Sequence, residues 1–280
     1  MYKILDRQDL APIVHLFKIA APEIAQKAQP GQFVIVRIDE RGERIPLTFA
    51  DWDAQAGSVT IVFQEAGATT SRLARLNPGE SIEDLVGPLG IPTHIEKFGT
   101  VVCVGGGIGV APITPIARGL KRAGNSVISI MGARSKNLLF WEDKLRQSSN
   151  ELIVSTDDGT YGRKALVTEP LKEILASQKV DRVIAIGPIP MMRFCSLTSQ
   201  PFGVKTIVSL NPLMVDGTGM CGCCRVSVGG ATRFACVDGP DFDGHQVDWD
   251  LMVTRSRAYA AEEKRSLELW QCRCNRQQQI

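Results

Sequence analysis

The hydrophobic pattern changes character twice along the chain. Over the first 97 residues, short apolar and β-branched runs, VHLFKIA (14–20), QFVIVRI (32–38) and SVTIVFQE (58–65), are separated by turn-forming stretches at Pro30-Gly31, Asp51 to Gly57 and Asn77-Pro78-Gly79. Closely set strands without a long helix predict a small antiparallel barrel or sandwich. From residue 99 the period alternates. GTVVCVGGGIG is a buried strand ending in glycines, and APITPIARGLKRAG sets Ile113, Ile116 and Leu120 on one side of a helix. SVISIMGAR, ELIVSTDDG, DRVIAIGP and KTIVSL then read as strands, with KNLLFWEDKLRQ and ALVTEPLKEILAS as helices, which specifies a mostly parallel sheet covered on both faces.

From Pro212 the alternation stops. A cysteine- and glycine-rich segment is followed by GPDFDGHQVDWD and a charged helical stretch, SRAYAAEEKRSLELWQ. The chain therefore divides into a barrel domain over 1–97, an α/β domain over 98–211 and a small C-terminal unit with a helical tail over 212–280. No low-complexity linker separates them, so the three are expected to pack together.

Composition narrows the function. With 32 Lys and Arg against 30 Asp and Glu, the net charge of +2 gives no electrostatic footprint for nucleic acid. The N-terminus has no signal-peptide core, and no stretch reaches the roughly 20 apolar residues of a membrane span. A cytoplasmic protein is expected, in which cysteines are thiols or metal ligands rather than a disulfide framework.

Cys221, Cys224 and Cys236 form C-x2-C-x11-C, with Cys223 interposed, in the segment DGTGMCGCCRVSVGGATRFAC. No convincing second cysteine pair follows Cys236 to complete a tetrahedral zinc site. Gly217, Gly219 and Gly222 instead leave room for thiolates to converge on an iron–sulfur cluster. The plant-type [2Fe-2S] spacing puts Asp216 in the first ligand position, so the expected ligands are Asp216, Cys221, Cys224 and Cys236, with Cys223 as the alternative fourth. A structural zinc site or buried thiols are the competing readings. Cys103, within a buried strand, reads as a core thiol, whereas Cys195 and the Cys272/Cys274 pair have no evident partners and read as core or surface thiols.

Gly106, Gly107 and Gly109 lie where a strand turns into a helix, a place where backbone and helix N–H groups receive a pyrophosphate. GGGIGVAP is an imperfect fingerprint because Pro112 takes its last position. Arg134, Asp157 and Gly187 belong to strand ends that should gather at the same edge of the sheet. In the first domain, Arg44-Ile45-Pro46-Leu47-Thr48 and the segment holding Gly67, Thr69 and Thr70 interrupt the strands with groups suited to a flavin pyrophosphate. His15, His94 and His245 read as structural or solvated residues rather than general bases, and Glu65 as a strand-edge carboxylate.

Together, RIPLT, GGGIGVAP and above all LNPLMVDGTGMCGCCRVSVGG with FACVDGPDFDGH resemble the ferredoxin reductase-like electron-transfer subunits of dihydroorotate dehydrogenase and, more closely, of NADH-dependent ferredoxin:NADP oxidoreductase. The resemblance runs over roughly residues 1–260. It implies FAD beside Arg44, Pro46, Leu47 and Thr48 with its phosphates near Gly67 and Thr70, NAD(H) at Gly106, Gly107 and Gly109, and a [2Fe-2S] cluster near the C-terminus. The aspartate at the first ligand position favours the ferredoxin:NADP branch, whereas the dihydroorotate branch resembles an all-cysteine site. The implied partner is a larger, glutamate-synthase-like flavin and iron–sulfur subunit through which ferredoxin is reached, an arrangement for electron bifurcation. The alternatives are the dihydroorotate dehydrogenase subunit and a redox sensor without steady turnover.

Overall fold

A computed structural model describes the backbone of residues 1–277 and side chains as far as Cys272; Cys274, paired with Cys272 above, lies outside the described side chains. The first half is built from β1 (Tyr2–Ala11), β2 (Val14–Ala20), α1 (Pro22–Ala25), β3 (Phe33–Arg37), β4 (Arg44–Asp53), β5 (Ser58–Gln64), α2 (Ala68–Leu73), β6 (Ser81–Ile82) and β7 (Asp84–Leu89). The seven strands pair antiparallel in the order β6-β1-β2-β5-β4-β3-β7. Because β6 and β7 hold opposite edges yet only Glu83 separates them in sequence, the sheet must curl until its edges approach, which makes it a near-barrel.

Strand β3 explains why its sequence is a continuous apolar run rather than an alternating one. Val34 and Val36 enter the barrel core with Phe17, Phe49, Ile61 and Phe63. The intervening Phe33 and Ile35 enter a second core, shared with the α/β sheet and the cysteine segment. Successive side chains point to opposite faces, and both faces of this strand are buried. Two features of this domain differ from expectation. Strand β1 carries a mostly polar sequence of which Ile4 is fully buried, and two register shifts bend it around the barrel. RIPLT is not a break beside strands but the first half of β4. There β4 pairs with β3 (Val34↔Leu47, Ile35↔Pro46), whereas its pairing with β5 begins only at Phe49. The other edge of residues 44–48 is therefore open, which is why Pro46 is tolerated in a strand.

The second sheet comprises β8 (Thr100–Gly106), β9 (Ser126–Ala133), β10 (Glu151–Thr156), β11 (Arg163–Lys164), β12 (Arg182–Ile186), β13 (Thr206–Ser209) and β16 (Asp241–Asp243), in the order β11-β10-β9-β8-β12-β13-β16. Helices α3 (Val110–Arg122), α4 (Glu142–Gln147), α5 (Thr168–Ser177) and α6 (Ile189–Ser199) connect or flank the strands. All pairs are parallel except β13–β16. α3 buries Ile113, Ile116 and Leu120, as its spacing predicts. α4 is shorter than expected: Trp141 sits at φ 60 and the helix starts only after it, because Leu139 and Phe140 turn inward to the core. Another core, where Val14, Leu16, Ala50 and Val62 meet α3 and β8, joins the barrel to this sheet.

The C-terminal part forms a hairpin, β14 (Arg225–Val228) with β15 (Ala231–Phe234), followed by β16, α7 (Trp249–Ser256) and α8 (Ala260–Gln277). α8 crosses back to the barrel and touches α2, where Trp270 lies under the Arg75 guanidinium at 4.5 Å.

Candidate redox and nucleotide sites

The cysteine loop runs from the end of β13 to β14 and is shaped by glycine. Gly217, Gly219 and Gly222 adopt φ of 84, 88 and 67 degrees, conformations that L side chains avoid. Gly217 also meets the barrel: an added Cβ would stand 2.7 Å from Ile35 and 2.8 Å from Leu89, so the loop seats itself directly on β3 and β7. Cys224 and Cys236 are buried with their sulfurs 3.2 Å apart. Cys221 is exposed, with Cys223 half-buried beside it.

The electrostatics divide these thiols. Backbone N–H groups of Cys223 and Asp216 hold the Cys221 thiol below the ordinary cysteine range, whereas its hydrogen bond with Cys221 raises Cys223. Burial, reinforced by the neighbouring Cys224, pushes Cys236 up to about 12. The Asp216 carboxylate accepts from the Thr218 hydroxyl and from its backbone N–H at 2.9 Å, and these bonds, with Arg44 nearby, keep it ionised well below its usual range. Of the four expected ligands, Cys224 and Cys236 are thus brought together and Asp216 and Cys221 are neighbours. Among the described residues no three metal-ligating side chains converge. The donor set nonetheless suits an iron–sulfur cluster: three thiols and a carboxylate on a glycine loop whose backbone N–H groups favour anionic sulfur at Cys221, with the Cys236 thiol brought beside them after β15.

The glycine turn after β8 stands at the topological switch point of the sheet. The chain proceeds from β8 to β9 on one side and returns to β12 on the other, so the ends of β8 and β12 bracket the crevice where open α/β sheets bind ligands. Gly109 is required by packing, since a Cβ there would lie 2.1 Å from the Ile186 carbonyl oxygen. Gly107, at φ 53, faces open space, as a backbone approach for pyrophosphate demands. Gly106 and Gly187 face each other across the crevice with Met191 against both, a neighbour that sequence reading missed because α6 carries no periodic signal. Arg134 and Asp157 extend into solvent from the ends of β9 and β10.

In the barrel, the Thr70 hydroxyl accepts from the backbone N–H groups of Ala66 and Gly67 at 2.8 and 3.0 Å, and Thr69 donates to Glu43. The Thr70 hydroxyl therefore builds the start of α2 and the Thr69 hydroxyl ties it to Glu43, while Gly67 faces open space. Arg44 is exposed and stands close enough to Asp216 to stabilise its charge, so the expected flavin strand and the cysteine loop adjoin. Three further titratable groups are structural. His15 bridges Asp9 and Glu65 at 2.6 and 2.8 Å, and burial raises Cys103 and Cys195 to about 12, which makes them inert core thiols.

A curled antiparallel near-barrel, a parallel nucleotide sheet and a C-terminal cysteine loop define a reductase of the flavin and iron–sulfur class. Residues 211–248 match the iron-sulfur cluster binding domain of dihydroorotate dehydrogenase B. The dihydroorotate dehydrogenase B (NAD(+)) electron transfer subunit homolog of Thermotoga maritima is 47% identical over 95% of this chain and 94% of its own length. The electron transfer subunit of Geobacillus thermodenitrificans is 30% identical over 87% and 96%. A chain from the structure of NADH-dependent reduced ferredoxin-NADP oxidoreductase superposes with a TM-score of 0.92 at 45% identity, covering 96% of this chain and 98% of that one. The chain belongs to the family of dihydroorotate dehydrogenase B electron-transfer subunits and their homologues. The expected class, a flavin and iron–sulfur electron-transfer subunit, is borne out. Among the described residues no helix is long and apolar enough to cross a membrane.

Proposed function

We propose that this chain is the electron-transfer subunit of an NADH-dependent ferredoxin:NADP oxidoreductase, working with a larger, glutamate-synthase-like flavoprotein through which ferredoxin is reached. The observation that carries the reading is the shared wall formed by β3. Its backbone pairs with Pro46 and Leu47 of the flavin strand, and its Ile35 side chain supports Gly217 of the cysteine loop. A flavin on the open edge of β4 and a cluster in the loop are thereby held on one rigid strand.

When bound, FAD, NAD(H) and the [2Fe-2S] cluster supply hydride transfer between nicotinamide and flavin and single-electron passage through iron. The protein's own residues bind and orient. Arg44, Pro46, Leu47 and Thr48 line the open edge of β4, with Gly67, Thr69 and Thr70 shaping the phosphate end. Gly107 leaves the switch-point crevice open to the pyridine nucleotide, Gly106, Gly109 and Gly187 let the strand ends and α6 close up behind it, and Arg134 and Asp157 stand at its margin. Asp216, Cys221, Cys224 and Cys236 are assigned as cluster ligands. Residues 1–97 are assigned to FAD, 98–211 to NAD(H) and the chain from 212 onward to the cluster.

Anaerobic affinity purification from native cells, with mass spectrometry of the retained partner, tests the assignment. Recovery of a glutamate-synthase-like flavoprotein, with NADH, NADPH and ferredoxin activities coupled in the complex, is the expected result. A dihydroorotate-oxidising partner would overturn it in favour of the pyrimidine-pathway subunit, the reading that the names of the 30–35% identical relatives favour.

A further inference from the structure

A cleft of about 440 Å³ opens between α3, α4 and the barrel strand β4. Its charge is one-sided. Arg118, Lys121 and Arg122 of α3 and Lys144 of α4 line it against a single carboxylate, Asp51. One cleft thus carries an excess of three positive charges, where the whole chain of 280 residues carries a net +2. The acidic residues of α4 do not offset it. Neither Glu142 nor Asp143 lines the cleft; Glu142 pairs with Arg146 at 2.6 Å, and both acids act on Tyr161, in the loop after β10.

Two of the four cations are accounted for by the fold. Arg118 donates to Asp51 at 2.7 Å, and Lys121 donates to the Gln147 and Ser149 carbonyls at 3.0 and 2.6 Å, closing the C-terminal end of α4. Arg122 and Lys144 are not: among the described residues neither forms a salt bridge, since the one carboxylate of the cleft is taken by Arg118. Lys144 lies instead over the Trp141 ring at 3.9 Å; burial lowers its ammonium, Asp51 opposes that shift and Arg118 adds to it. Trp141 presents this ring from a left-handed backbone, φ 60, which a bulky residue adopts only where its surroundings require it. The helix dipole explains basic residues in the last turns of α3 and α4. It does not explain why they converge with Arg118 on one cleft, where like charges repel.

We propose that this cleft binds a small anion of the diphosphate class, held by Arg122, Lys144 and the N–H groups of Arg118 that Asp51 leaves open. A phosphate monoester carries about two negative charges at neutral pH, so a diphosphate matches the excess more closely. Arg118, already anchored by Asp51, offers its planar donors with little freedom left to lose. Inorganic diphosphate and the diphosphate ester of an organic molecule share this chemistry, and for the ester Trp141 supplies an apolar wall. The cleft is separate from the switch-point crevice. At about 1.5 Å per residue, Arg122 stands about 18 Å along α3 from Val110, where the glycine turn ends.

The test is equilibrium dialysis of the cofactor-loaded protein against radiolabelled inorganic diphosphate and, separately, radiolabelled ADP, at constant ionic strength and with unlabelled NAD+ saturating so that the nucleotide crevice is filled. The expected result is saturable binding of one equivalent that sulfate does not displace at equal ionic strength. Tighter binding of ADP identifies an ester as the source of the diphosphate, and equal or tighter binding of the inorganic ion identifies the free anion. Arg122→Gln and Lys144→Gln should each weaken the binding roughly fivefold or more, the equivalent of one exposed charge pair. The proposal is overturned if neither anion binds saturably, if sulfate displaces both, or if both variants bind as tightly as the parent. Both substituted side chains are exposed, so the fold should survive, and the dialysis of the parent decides the case without them.

Discussion

Replacing Asp241 with Asn should stabilise the protein, and by an amount that depends on pH. Burial raises this carboxyl from 3.8 to about 6, with Thr93 and Ser209 opposing the shift. The folded state therefore holds the proton more tightly than the unfolded chain does, so stability present at low pH is lost as pH rises from about 4 through about 6. At about 1.36 kcal/mol per unit, the loss approaches 3 kcal/mol near neutrality. Asparagine carries no charge to desolvate, and its side-chain carbonyl can still accept from Thr93. The variant should therefore exceed the parent by up to about 3 kcal/mol at pH 8, and by about half of that at pH 5. Urea denaturation followed by far-UV circular dichroism from pH 5 to 8, at fixed FAD, measures this difference. A difference that stays constant with pH, or that grows towards acid, would refute the reasoning.

Other substitutions separate packing from binding. Asp216→Ala should lower the iron content and alter the EPR spectrum of the reduced protein while FAD is retained; Cys223→Ala should leave both unchanged, and the reverse pattern would reassign the ligand. Gly107→Ala adds a methyl group to open space, so the fold should survive with a strain of about 1 kcal/mol while NADH-dependent flavin reduction falls at least tenfold. Gly109→Ala drives the methyl into the Ile186 carbonyl and should instead give a protein with a lower melting temperature. Trp270→Ala removes the contact with Arg75 and should release α8 to proteolysis without changing cluster content.

The sequence disclosed most where burial is symmetrical. Parallel strands such as β8 and β9 are covered on both faces and read as unbroken apolar runs, and α3 displays its buried stripe openly. Elements created by tertiary pairing were hidden. β16 is Asp-Phe-Asp, a strand only because β13 offers it a partner, and β1 looks polar because the barrel buries few of its side chains deeply. The same holds for the sites. The proximity of Cys224 and Cys236 follows from local spacing and a hairpin, whereas the cationic cleft and the position of Met191 depend on elements far apart in sequence.

The antiparallel strand β16 has one more consequence. It stitches the chain that leaves the cysteine hairpin into the edge of the nucleotide sheet, and Gly217 pins the loop that enters the hairpin to the barrel. The loop is therefore a fixed port rather than a head on a tether. In the proposed complex a redox partner would have to bring its own centre to the loop at Cys221, and the reach of electron transfer would be set by how closely that partner's surface fits around it.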